Sequence, residues 1–228
     1  MQFENLQTPA ASYAPARNRV LRNTYMLLGL SMIPTVLGAM IGVRTGFSFF
    51  AGSPMIGFLA FLAIAFGFFY GIQRFKNSGV GVALLLGFTL FMGLMLSGIL
   101  RYTLHFSNGA ELIALAAGGT GAIFVTMAGI ATVSKRDFSN LGKFLFAGMI
   151  LVLLASLANI FLALPALTIA VSVLCVAIFS AYILYDVQQV VNGGETNYVI
   201  ATLQIYLDVY NVFVHLLSLL GIFGGNRD

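Results

Sequence analysis

Two aspartates, Asp186 and Asp208, stand inside consecutive apolar runs long enough to cross a bilayer, within the stretch from Ala166 to Phe223. No other apolar run of the chain contains a charge. An ionised side chain at membrane depth costs about 2.5–3.5 kcal/mol on insertion scales, so an intramembrane carboxyl calls for a partner and a function. Each aspartate is the other's obvious partner. The run ending YILYDVQQVV and the run ATLQIYLDVYNVFVHLLSLL are joined only by the polar NGGETNY, which predicts antiparallel neighbours. At about 1.5 Å per residue, Asp186 lies about 8 Å and Asp208 about 14 Å from that turn, depths compatible with contact.

Helical spacing widens the candidate site. Gln204, Asp208, Asn211, His215 and Ser218 fall at steps of four, three, four and three, one face of the last helix; Tyr182, Asp186 and Gln189 share a face of the preceding one, with the lone Cys175 further along. Polar stripes of this kind face a bundle interior or a water-filled cavity. Two close carboxylates disfavour double ionisation, so a single shared proton would latch the two helices. Loss of that proton would make the pair repel, part the helices and offer oxygens to a hard cation. Calcium takes six to eight oxygens, so Asp186 and Asp208 with Asn211, a tyrosine hydroxyl and waters would form a weak, transient site, suited to a leak path rather than storage. The competing reading is structural: Tyr, Asn and Gln hydrogen-bond a protonated aspartate as glue between helices.

Enzyme chemistries fit poorly. Intramembrane aspartyl proteolysis also uses two carboxylates, but the GxGD of presenilin-like enzymes is replaced here by YLDVYN. Ser218 and His215 lie three apart on one helix and no GxSxG elbow is present. A retinal protein needs a lysine deep in the last span, and every lysine here is at a boundary. His105 reads as a solvated loop residue and His215 stands alone, which leaves no metal centre for catalysis, and no resident cofactor is expected.

The positioning elements follow from composition. The 228 residues are 60% hydrophobic and only 8% charged, with mean hydropathy +0.98, against about 25% charged in soluble domains. The chain therefore reads as an all-α polytopic membrane protein, with the lipid bilayer as its first partner. One cysteine excludes an internal disulfide and a cysteine zinc site. The net charge of +4 is dispersed between apolar runs rather than gathered on a polar domain, which argues against nucleic acid. Residues 1–16 are expected to be a flexible tail, followed by Arg17, Arg19 and Arg22 as a basic anchor, so that 1–22 precede a seven-helix domain over 23–223 and a short tail over 224–228. Apolar runs fall at 24–43, 54–72, 78–100, 112–134, 144–164, 166–191 and 199–223, each near the roughly 20 residues a span needs. The first lies too far in, and is too long, for a cleaved signal peptide.

Seven alternating spans sort the basic residues into Arg17, Arg19, Arg22, Arg74, Lys76, Lys135, Arg136 and Lys143 on one side and Arg44, Arg101 and Arg227 on the other. The positive-inside rule then predicts a cytoplasmic N-terminus and an outer C-terminus, with Asp186 nearer the inner leaflet. Gly67 and Gly71, and Gly118, Gly119 and Gly121, offer close helix packing; Pro34 is a candidate kink, Pro165 marks a tight hairpin, and Asn159 reads as an interhelical hydrogen bond. No internal repeat is visible, which argues against a transporter built from two inverted halves.

At these residues the chain resembles the Bax inhibitor-1 superfamily of seven-span proteins, in the YILYD of Tyr182–Asp186 and the YLDxxNxF of Tyr206–Phe213. VLRNTY at 20–25, NIFLALPAL at 159–167, GGETNY at 193–198, LLSLLG at 216–221 and the closing RD extend the resemblance to the bacterial YccA-like branch. The resemblance implies an inner-membrane protein with a pH-sensitive calcium leak acting through Asp186 and Asp208. It also implies an arginine near the end of span two pairing with the first aspartate, for which Arg74 is the candidate. For the branch it implies restraint of an FtsH-type membrane AAA protease, with residues 1–16 as the tail such a protease would engage. A pure pH-gated calcium leak with no protease role is the alternative.

Overall fold

The computed structural model describes residues 10–49 and 52–226, whose regular structure is entirely helical. Seven helices follow one another: α1 (Ala10–Thr45), α2 (Pro54–Phe75), α3 (Gly79–Leu104), α4 (Gly109–Val133), α5 (Leu141–Leu162), α6 (Pro165–Asn192) and α7 (Tyr198–Gly224). Each matches one expected apolar run, and all seven are long and apolar enough to cross a membrane, the first over Asn18–Thr45. The protein is an all-α polytopic membrane protein. α1 begins at Ala10, so residues 10–16 are helical where an irregular tail was expected, while residues 1–9 of that tail and the closing Arg227 and Asp228 lie outside the described residues. Pro34 does not break α1, which is helical on both sides of it.

Local chemistry explains the two hairpins that matter most. Pro165 occupies the first turn of α6, where its missing N–H costs nothing. Before it, Ala163 takes a left-handed φ of 49°, and Asn159 clasps the turn: its carbonyl accepts from Ala163 N, its Oδ1 accepts from Leu164 N, and its Nδ2 donates to Thr168 Oγ1 at 2.7 Å. That is the interhelical bond its position predicts. α6 ends on Gly193, whose φ of 80° suits glycine at this cap. α7 starts on Asn197, whose side chain accepts from Val199 N and Ile200 N, while its Nδ2 donates to Asn77 Oδ1 at 2.8 Å in the α2–α3 turn.

α7 is the axis of the bundle. It touches every helix except α5, and Val199, Ile205, Tyr206, Val212 and Leu217 on it are almost wholly buried. α5 is peripheral, packing only on α6 and leaving Phe144, Leu151 and Phe161 exposed on an apolar outer face. The tightest interface joins α1 and α3. A Cβ at Gly38 or Gly93 would strike the facing backbone at Leu90 or Thr35, and one at Gly42 would strike Ser97. Gly38 and Gly42 thus form the working GxxxG of this fold. The expected pair behaves differently: Gly67 faces open space and Gly71 meets only the end of Leu84. Of the α4 glycines, Gly119 packs on Leu216, whereas Gly118 and Gly121 face open space.

Candidate functional site

The short α6–α7 turn brings the two aspartates together as antiparallel neighbours. Their carboxyls lie within hydrogen-bonding reach of each other, and both residues are buried, 8% and 5% exposed. Ionised carboxylates only accept hydrogen bonds, so a bond between two of them requires a proton on one. Asp208 Oδ2 is buried with no hydrogen-bond partner. Tyr182, half-buried, lies near both carboxyls, and Glu195 in the turn lies near Asp186. Ile183, Val187 and Ile205, none of them exposed, belong to the core into which the pair is set.

The wider stripe does not converge on the pair. Gln204 is exposed, and Gln189 lies at the α6 C-cap, its carbonyl accepting from Gly194 N and Glu195 N and its side chain held against Gly194. Asn211 turns back on its own helix, with Nδ2 donating to Leu207 O at 2.7 Å. His215 sits further along α7, its Nδ1 3.4 Å from Ser172 Oγ. With Ser218, Ser156, Asn159 and Thr168 it lines a separate cavity of about 240 Å³, whose remaining walls include Ile99, Val171 and Val214. Arg74 is not brought to the pair: it is exposed in the last turn of α2, and α2 does not pack on α6. His105 is exposed at the end of α3, as expected.

A residue that spacing did not single out secures the pair's surroundings. Gln188, buried one position past Val187, accepts from Phe138 N through Oε1 and donates to Arg136 O through Nε2, both at 2.7 Å. It thereby pins the α4–α5 loop to α6. The signal was an amide inside an apolar run, two residues from Asp186. In the same loop Asp137, fully solvated, accepts from the Ser139 hydroxyl and N–H, bonds that hold its carboxyl below the usual range.

Chemically, the arrangement can share and release one proton and present carboxylate oxygens to a cation. No group of three or more His, Cys, Asp or Glu forms among the described residues, so a cation here would draw its remaining oxygens from hydroxyls, carbonyls and water.

The family model described as inhibitor of apoptosis-promoting Bax1 matches residues 17–225. The chain is 38% identical over 211 residues to an uncharacterised protein of Neisseria meningitidis serogroup A, covering 92% of this chain and 93% of that protein. It is 37% identical over 209 residues to an uncharacterised membrane protein of Vibrio cholerae, covering 92% of each. It is 37% identical over 204 residues to the modulator of FtsH protease YccA of Escherichia coli K12, covering 90% of each.

Proposed function

The chain belongs to the Bax inhibitor-1 family, and from that premise we propose that it is an inner-membrane protein with two linked roles: a pH-sensitive cation leak gated by Asp186 and Asp208, and restraint of an FtsH-type membrane protease. The observation that carries the first role is the buried carboxyl pair between α6 and α7, with one oxygen unsatisfied. With one proton shared, the pair ties α6 to α7. With both groups ionised, two unit charges about 4 Å apart repel by about 4 kcal/mol at an effective dielectric near 20. That is large beside the roughly 5–15 kcal/mol that holds a whole domain together, so the local helix contact yields first. The freed oxygens then coordinate calcium briefly as it passes. The end of the bundle bearing Arg19, Arg22, Lys76, Lys135, Arg136 and Lys143 faces the cytoplasm in this reading, so cytoplasmic protons set the latch.

The second role is supported by the name of the E. coli relative and by the coverage of that match along both chains. A calcium leak without a protease role is the competing reading. One experiment separates them: calcium entry into dye-loaded proteoliposomes at mildly acidic and mildly alkaline pH, run beside degradation of a membrane substrate by co-reconstituted FtsH. Asp186→Asn and Asp208→Asn should change the pH response of the flux and leave the protease arm alone. Deleting residues 1–16 should release the protease and leave the flux alone. A flux indifferent to both substitutions makes the aspartates structural glue; a protease indifferent to this protein leaves the leak as the sole role.

A further inference from the structure

A second feature of the bundle has no part in the carboxyl chemistry. α1 and α4 both pack on α7 and share no close backbone contact, and between them α7 forms the floor of a cavity of about 400 Å³. Its walls are Gly29 and Met32 of α1 and Gly121 and Phe124 of α4, with Tyr210 and Phe213 on the floor. The lining is apolar. Where Thr35 and Tyr206 reach it, their hydroxyls bond each other at 2.9 Å, so water would find few partners there.

Dimensions select the occupant. On α1 the cavity runs from Tyr25 to Thr35, ten residues or about 15 Å of rise, which is one leaflet of a hydrocarbon core about 30 Å thick. The groove has the length of one acyl chain extended through a leaflet.

Charge selects the headgroup. At one end Tyr25 spans the slot as a sill, its ring edge-on to Phe124 at 6.0 Å. One turn before that sill on α1 stands Arg22, and two residues past the end of α4 stands Lys135, both exposed, with Arg19 and Arg136 close by in sequence. An amphipathic tyrosine under paired basic residues is the pattern of a lipid–water boundary facing anionic headgroups. We propose that this groove binds one acyl chain of an anionic phospholipid, whose phosphate is held between Arg22 and Lys135.

The test is photolabelling of the full chain in vesicles of equal phosphatidylglycerol and phosphatidylcholine, one or the other carrying a diazirine on its acyl chain, with labelled residues mapped by mass spectrometry. Diazirinyl phosphatidylglycerol should label Met32, Phe124 and Phe213 above the bulk-lipid residues Phe144 and Phe161 of α5, and should do so at least about fivefold better than diazirinyl phosphatidylcholine, the factor expected for one basic residue near an anionic surface. Arg22→Ala with Lys135→Ala should equalise the two lipids. Gly29→Leu with Gly121→Leu should abolish groove labelling and leave α5 labelling unchanged. A Cβ at either glycine meets nothing within 4 Å and leucine is the better helix former, so this filled variant should unfold like wild type in detergent, which is checked beside the labelling. Groove labelling no higher than that of α5, labelling that survives the filled groove, or equal labelling by both lipids with Arg22 and Lys135 intact overturns the proposal. So does absence of groove labelling by either lipid, the result expected if a protein segment occupies it. None of these outcomes depends on either aspartate.

Discussion

The α1–α3 and α6–α7 interfaces hold helices together by opposite means. Between α1 and α3, Gly38, Gly42 and Gly93 remove side chains so that backbones meet, leaving nothing that can rearrange or change charge. Between α6 and α7, contact centres on two buried acids whose attraction depends on a proton. In the proposed function the first joint is fixed at every pH, while the second has two states. A bundle that combines them can part along one seam without coming apart along the other.

The largest effect should come from attacking the fixed joint. Gly93→Leu drives a side chain into the Thr35 backbone, so its cost should exceed the 1–3 kcal/mol of ordinary overpacking, roughly, and thermal unfolding in detergent should show little folded protein. Gly67→Leu, with open space at its Cβ, is the control and should unfold like wild type; equal damage from both would erase the distinction between these glycines. Next is the switchable joint. In wild type, raising the pH from mildly acidic to mildly alkaline removes the shared proton and leaves two buried charges, so the unfolding midpoint should fall. In Asp186→Asn with Asp208→Asn, two neutral amides can still bond each other, and the midpoint should stay level over the same interval. A wild-type midpoint as flat as the double variant's would mean that the pair does not change state.

Smaller still is the loss of the clamp beside the pair. Gln188→Ala strands the Phe138 N–H and the Arg136 carbonyl, a cost of about 1–2 kcal/mol. It should speed trypsin cleavage after Lys135 and Arg136 in the loosened loop. Arg74→Gln should do least. Exposed and away from α6, Arg74 is expected to leave both the midpoint and the pH response of the flux unchanged, and a shifted pH response would show that it reaches the pair in another state.

What was legible in the sequence was whatever depends on one dimension. Seven spans follow from apolar length, and the meeting of Asp186 with Asp208 follows from a turn too short to let their helices wander. Helical phase was less informative, because it gives a side chain's direction and not what stands there. Gln204 and Asp208 share a face by count, yet one is exposed and the other buried, since α7 is enclosed unevenly along its length. Asn211 shares that face too, but an amide can satisfy itself on the carbonyl four residues back, and it does. Gln188 escaped notice because its partners lie fifty and fifty-two residues away in a loop, a contact that periodicity does not encode. The glycine joint was misassigned for a similar reason: Gly38–Gly42 and Gly67–Gly71 are the same motif in sequence, and only the neighbouring helix distinguishes them.

The central position of α7 also has a consequence for how the bundle is made. Synthesis runs from the N-terminus, so the helix that touches nearly all the others is made after the other six. Until it arrives, Asp186 has no acid opposite it, and the faces of Leu28 and Phe88 that share its core cluster have no centre to close upon. The first six helices assemble around a gap that α7, made after them, closes.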